Sequence, residues 1–249
     1  MSLEQILPFL MIVALGTYVQ TVTGFGMGMV ILGFVAQLDL YSITFTSVVV
    51  SILMLANGPI ALHGNLKAID RKPLCLTLAG LFPALIVGVL LLNYLSDEFA
   101  RILQLILGVT IICGGMFIVL KPEPLPTPSG SFSFVAAGSV AGLFGGLFAI
   151  SGPPLVYQYY RQPFPLHAIR MSLLMLLLLM DFARLIVMET QGSLDLDMLW
   201  VSLICIPVVA IFTLAGRRYP PPFSDKTMRR LAFCMLIVIG VSLTVGAVV

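Results

Sequence analysis

Residues 73–95 pass without one charged side chain, and so do 42–62 and 198–216. About 20 apolar residues are what an α-helix needs to cross the hydrocarbon core of a bilayer. In that core every backbone N–H and C=O must find a partner inside the protein, so runs of this length predict spanning helices. Comparable runs at about 99–120, 168–188 and 229–248 bring the clean spans to six. Composition agrees. With 59% hydrophobic and 10% charged residues, the chain lacks the polar surface to coat a soluble globule. An all-α integral membrane protein is the fold class this predicts.

Several functions are excluded on the same grounds. A net charge of +2 supplies no field to hold nucleic acid. The loops leave no room for a soluble catalytic or nucleotide-binding domain, and no GxxxxGK[ST] phosphate loop occurs. Cys75, Cys113, Cys205 and Cys234 lie in apolar runs without CxxC spacing. They are expected to be buried thiols filling core space, with no disulfide, metal or cofactor. The N-terminus, Met1 to Gln5, lacks the basic region of a signal peptide and is expected to stay as part of a membrane element.

Two further apolar segments are too long for one span and are interrupted. Residues 5–38 contain Thr23-Gly24-Phe25-Gly26-Met27-Gly28, and residues 131–160 contain Ile150-Ser151-Gly152-Pro153-Pro154. Glycine and proline at this density break a helix. If each segment is a hairpin that enters and leaves by one face, Lys67, Arg71, Lys72, Lys121, Arg161, Arg170, Arg217, Arg218, Lys226, Arg229 and Arg230 all fall on one side. Arg101 falls opposite, and Arg184 lies inside a span. Eleven against one is what the positive-inside rule expects, whereas eight simple crossings place strong basic clusters on both faces. With six full crossings besides, the N- and C-termini are expected outside. The segment lengths, about 15 residues per arm, suggest short tilted or re-entrant helices.

Both halves then read as a broken hairpin followed by three spans: residues 1–120 form the first repeat, 121–130 a proline-rich linker and 131–249 the second repeat. Lys121-Pro122-Glu123-Pro124-Leu125-Pro126-Thr127-Pro128 cannot be helical. A shift of 126 places Gly16 on Gly142, Gly26 on Gly152 and Val30 on Val156, drifting by two at Pro83 and Pro207. The first half starts outside and the second inside, so the repeats are inverted. Inverted repeats with discontinuous helices near the midplane are a recurring design of secondary transporters, with substrate held at the breaks.

The residues at those breaks suit an anion. Gly24, Gly26 and Gly28 leave backbone amides unshielded at the positive end of a short helix. Thr23, Ser151 and Gln20 add polar groups, and Phe25 and Gly152 belong to the same tips. Asp181 and Arg184 are charged residues well inside a span, and such groups are functional candidates by default. Three readings stay open: Arg184 as an anion contact, Asp181 as a proton carrier, or the two as an i, i+3 structural pair. Asn57, before Gly58-Pro59, either lines the same cavity or ties two helices together. His63 and His167 are expected at the interface. Ala149-Ile150-Ser151-Gly152 approaches the GxSG pattern of intramembrane serine proteases, yet its first glycine is missing and Ser151 precedes two prolines. A channel-like anion or weak-acid pathway is the other transport reading.

Gly16-x3-Gln20-x3-Gly24-Phe25-Gly26-x-Gly28 and the segment from Gly142 to Leu155 resemble the glycine-rich signatures of the sulfite exporter TauE/SafE family. Neither copy has an uninterrupted glycine triplet, and the second carries Ser151 and a proline pair. The resemblance implies export of sulfite or a small organosulfonate across the bacterial cytoplasmic membrane by a protein of two related halves, and no enzyme activity. Expected partners are the small anion, membrane lipid, a proton or sodium ion if transport is coupled, and a second copy if the protein dimerises. A bare monoanion leaving an inside-negative cell gains about 2.3 kcal/mol per 100 mV, so export of an anion need not be coupled. The topology has a direct check. Single cysteines near Lys72 and near Arg218, in a cysteine-free background, are expected to label from the cytoplasm alone; labelling from opposite faces would refute the hairpin arrangement.

Overall fold

The computed structural model describes residues 3–23, 26–62, 66–98, 100–119 and 125–218, with short helical stretches between 237 and 245. Within these residues the chain forms nine α-helices: α1 (Leu3–Thr23), α2 (Met27–Gln37), α3 (Ile43–Leu62), α4 (Arg71–Glu98), α5 (Ala100–Val119), α6 (Ser131–Phe148), α7 (Gly152–Tyr160), α8 (Leu166–Thr190) and α9 (Leu196–Arg218). Five of the six clean runs are thus helices. The sixth, 229–248, falls largely outside the described residues, as do Lys121, Cys234, Lys226, Arg229 and Arg230. Arg71–Leu95, Ser131–Phe148, His167–Thr190 and Leu196–Gly216 are each long and apolar enough to cross a bilayer.

Local chemistry sets the boundaries. The Ser42 hydroxyl accepts the Phe45 amide at 3.1 Å and opens α3, and the Asp70 carboxylate accepts the Lys72 amide at 3.2 Å and opens α4. Gly192, at φ 65°, closes α8, with the Ser193 amide donating to the Met188 carbonyl at 3.0 Å. Both long apolar segments are hairpins, but their arms are unequal. α1 and α6 have 21 and 18 residues, and α2 and α7 have 11 and 9. At 1.5 Å per residue the first arms are about 27–31 Å long and the second about 13–17 Å. Each break thus divides a long helix from a short one, instead of two arms of about 15 residues. The described end of the linker is irregular, and its Leu125 amide donates to the Arg161 carbonyl at 2.8 Å.

Three of the helix contacts recur when residues 1–120 are exchanged with 131–249. α1 lies on α9 as α6 lies on α4; α2 on α3 as α7 on α8; α3 on α9 as α8 on α4. The counterparts α3 and α8 pack on each other and run antiparallel, since Gly58 meets Leu178, Ser51 meets Asp181 and Ser47 meets Arg184. Pro83 and Pro207 stand inside the counterparts α4 and α9. The halves are interleaved, with α6 of the second packed most extensively on α4 of the first.

These directions gather the basic residues. α8 starts beside the 3-10 turn Leu66–Ala68, between α3 and α4. α9 ends beside the end of α3, where Thr213 bonds Asn57, and α7 ends beside the start of α4, where Tyr159 bonds Thr77. Lys67, Arg71, Lys72, Arg161, Arg170 and Arg218 therefore share one end of the bundle, while Arg101 opens α5 at the other. His167 is exposed at the start of α8, and His63 lies outside the described residues.

The α4–α6 contact is backbone against backbone. A Cβ on Gly138, Gly142 or Gly146 would stand 2.1, 2.2 or 2.4 Å from the carbonyl oxygens of Thr77, Leu81 and Leu85. Gly80 and Gly88 are equally tight from the other side. Lipid offers little hydrophobic drive between helices, so small residues that let backbones approach hold them together. The cysteines depart from expectation. Cys205 is buried, but Cys75 and Cys113 are exposed, because a helix facing lipid needs apolar side chains on its outer surface as well as inside. Replacing Gly142 by Leu is expected to force α4 and α6 apart and cost at least about 1–3 kcal/mol, read as a loss of monodisperse protein and a lower Tm in detergent. Gly130→Ala, where a Cβ meets nothing within 4 Å, is expected to leave both unchanged.

Candidate functional site

The two helix breaks touch. A Cβ at Gly28, in the first turn of α2, would stand 2.9 Å from the Ala149 carbonyl oxygen of the second break and 3.5 Å from Val50 of α3. Only a glycine permits that approach without displacement.

On the first tip, Gly26 takes φ 103°, a left-handed conformation suited to glycine, and its carbonyl accepts the Val30 amide at 3.0 Å. The opening amides of α2 lack intrahelical acceptors. Gln20 takes one of them: its Oε1 accepts the Met27 amide at 3.3 Å, while its Nε2 donates to the Met54 sulfur at 3.1 Å. Gln20 thus caps α2 from α1. The amides of Gly28 and Met29 come next along the same helix start. Thr23 ends α1 without a described side chain, and Gly24 and Phe25 lie outside the described residues.

On the second tip, Ala149 holds φ 55° and donates its amide back to the Gly145 and Phe144 carbonyls. A left-handed alanine is unusual, since its Cβ crowds the following carbonyl. Ser151 precedes α7, which opens on Gly152, Pro153 and Pro154. Ser151 is 1% exposed, and among the described residues its hydroxyl has no hydrogen-bond partner. The prolines suit a helix start but donate no N–H, so this tip offers a hydroxyl where the first offers amides.

Beside the junction lies a fully buried charged network. Arg184, with no exposed surface, donates from Nε to the Gly146 carbonyl at 3.0 Å. Its Nη1 donates to the Ser47 carbonyl and the Ser51 hydroxyl, both at 3.1 Å, and its Nη2 to the Ser47 hydroxyl at 2.7 Å. Ser51 in turn donates to Asp181 Oδ1 at 2.8 Å. The two charges, three residues apart on α8, are therefore linked through a serine of α3. Gly146 belongs to the last turn of α6, where carbonyls lack intrahelical donors and the dipole end is negative. Arg184 satisfies that end three residues before the break.

Asn57, 6% exposed, accepts the Thr213 hydroxyl at 3.3 Å and ties α3 to α9. Ser47 and Ser51 escaped the sequence reading. Their i, i+4 spacing on one face of an otherwise apolar span was the available signal, and serine inside hydrocarbon is commonly a partner for something else.

Residues 9–243 match the family described as Sulfite exporter TauE/SafE. The chain belongs to that family. A protein of Cupriavidus necator named as a probable sulfite/organosulfonate exporter TauE is 44% identical over 251 residues, covering 100% of this chain and 98% of its own length. No solved structure matches. This TauE/SafE chain is accordingly a multi-pass membrane transporter and not an enzyme. The network in the TauE/SafE chain makes a specific energetic claim. Arg184→Met strands the Asp181 charge and is expected to cost roughly 3–5 kcal/mol, whereas the double variant Asp181→Asn with Arg184→Met recovers much of that loss. Thermal unfolding of the four proteins in detergent measures the coupling.

Proposed function

We propose that this protein exports sulfite or a small organosulfonate across the bacterial cytoplasmic membrane as a secondary transporter. The observation that carries the proposal is the meeting of the two helix breaks, Gly28 against Ala149, inside a chain whose TauE relative bears the name of such an exporter. Non-helical backbone at membrane depth is tolerated where protein or a water-filled cavity satisfies it. A sulfur anion presenting three oxygens needs several short donors and a positive field, with little room. The amides of Gly28 and Met29 at the positive end of α2 and the Ser151 hydroxyl from the facing tip supply the donors. Arg184, one turn away, supplies a fixed positive charge whose own N–H groups are engaged by protein oxygens. In this reading it sets the field and holds the second tip; it does not clasp the substrate.

The two halves form inverted repeats in this proposal, supported by the antiparallel α3 and α8 and by contacts that recur on exchange. Rocking of one half on the other would open the junction to either face in turn. The basic end faces the cytoplasm and both termini face outside, as the positive-inside rule requires.

Flux from proteoliposomes loaded with radiolabelled sulfite tests the reading. Saturable efflux, competed by a small sulfonate and showing counterflow, is the expected result; flux equal to that of empty liposomes would overturn it, and linear flux without counterflow would point to a channel. Gly28→Val, which must push the Ala149 carbonyl away, is expected to weaken transport about tenfold or more while the protein still inserts.

A further inference from the structure

The buried network carries a charge balance that decides what can travel with the anion. A guanidinium stays protonated in proteins. Arg184 Nη1 donates to the Ser51 oxygen, so the Ser51 hydrogen is directed at Asp181 Oδ1, which acts as an acceptor. A fully buried cation needs a counter-charge beside it, and with Asp181 ionised the site without substrate sums to zero.

An anion entering the junction of the breaks adds a second negative charge close by. Val50, which packs against Gly28 at the junction, is the chain neighbour of Ser51, and Gly146, bonded to Arg184, lies three residues before Ala149. Unbalanced charge in a low-dielectric interior is costly, and a like charge nearby favours protonation of a carboxylate. We propose that the anion crosses together with one proton held on Asp181, so that the site is neutral both empty and loaded. The proposal rests on the anion-transport reading above.

The proton adds to a carboxylate oxygen of Asp181 from the water on the face where the anion binds. It leaves the same group to water at the opposite face, as the anion does. Loaded, the positive Arg184 balances the anion and Asp181 is neutral; empty, Arg184 balances Asp181. Transport is then electroneutral, and the membrane potential that would drive a bare anion outward does not act on it. By linkage, proton and anion each raise the affinity for the other by the same factor.

Among the described residues, the elements packed on α8 leave the role to this group. Helix α8 packs against α3, α4, α6, α7 and the 3-10 turn. α3 and α6 contain no ionisable side chain, α7 brings tyrosines of which Tyr159 bonds Thr77, and the 3-10 turn brings the exposed Lys67. α4 carries its charges at its ends, at Arg71 and Lys72 and at Asp97 and Glu98, with Cys75 and Tyr94 exposed between them. Arg184 is the charged partner that acts on Asp181.

The test uses the full chain in proteoliposomes with a trapped pH dye, the potential clamped by valinomycin and potassium, and isethionate as the anion. Isethionate is a sulfonate that stays ionised, which keeps its own protonation out of the measurement. The wild type is expected to move one proton outward with each isethionate, at a rate unchanged by the sign of the imposed potential. Asp181→Asn is expected to move isethionate without a proton, its efflux now rising several-fold when the lumen is negative. Should that variant fail to insert, wild-type calorimetry of isethionate binding, in two buffers of different ionisation enthalpy, reads proton uptake directly and is expected to give one per anion bound. Saturable isethionate flux that moves no proton or follows the potential, binding without proton uptake, or proton movement retained in Asp181→Asn would each overturn this inference and leave the transport reading standing. No saturable flux of isethionate or sulfite by the wild type would overturn both.

Discussion

Four protein oxygens surround the guanidinium of Arg184, and much of the molecule is arranged to put them there. A cation in hydrocarbon that lacked them would be intolerable, so α3 must present Ser47 and Ser51, α6 must end with its Gly146 carbonyl in reach, and α8 must bring Asp181 along. The network thus holds together helices from both halves at one point. It also does what no apolar contact can, because it fixes the rotation of α3 about its axis and the depth at which α6 stops. The second break begins where α6 stops.

Around this point the protein uses two kinds of packing. The α4–α6 contact is built of glycines whose missing side chains let carbonyls approach Cα atoms. The junction of the tips combines the close approach of Gly28 to Ala149 with buried apolar side chains from both sides, Met29 and Val30 with Leu147, Phe148 and Ile150.

The helices and their breaks are legible in the residues. Span limits such as 42–62 and 198–216 fall within two residues of α3 and α9, because hydrocarbon thickness leaves little freedom in helix length. The hairpins were legible from Gly24 to Gly28 and from Ser151 to Pro154. Their unequal arms were not, since a glycine cluster marks a break without saying where within it the helix stops. Gln20 is legible as a polar residue at the first tip, whereas the bond of its amide oxygen to the Met27 amide follows from how α1 packs on α2. Arg184 stood out for the same reason any buried cation does, yet its partners did not, because Ser47 and Ser51 lie more than 130 positions away in the chain.

What the sequence by itself determined is the class of solution: a membrane protein of helices, two broken segments, one basic end and a pair of charges in hydrocarbon. Each follows from a local cost, of an unsatisfied backbone, a helix breaker or a desolvated charge, that any fold of this chain must meet. The tertiary structure alone decided that the two breaks touch at Gly28 and Ala149, and that a serine of the other half stands between Asp181 and Arg184. Those are matters of which helix faces which neighbour. They are settled by close packing over the whole bundle, where displacing one carbonyl by an ångström moves several helices.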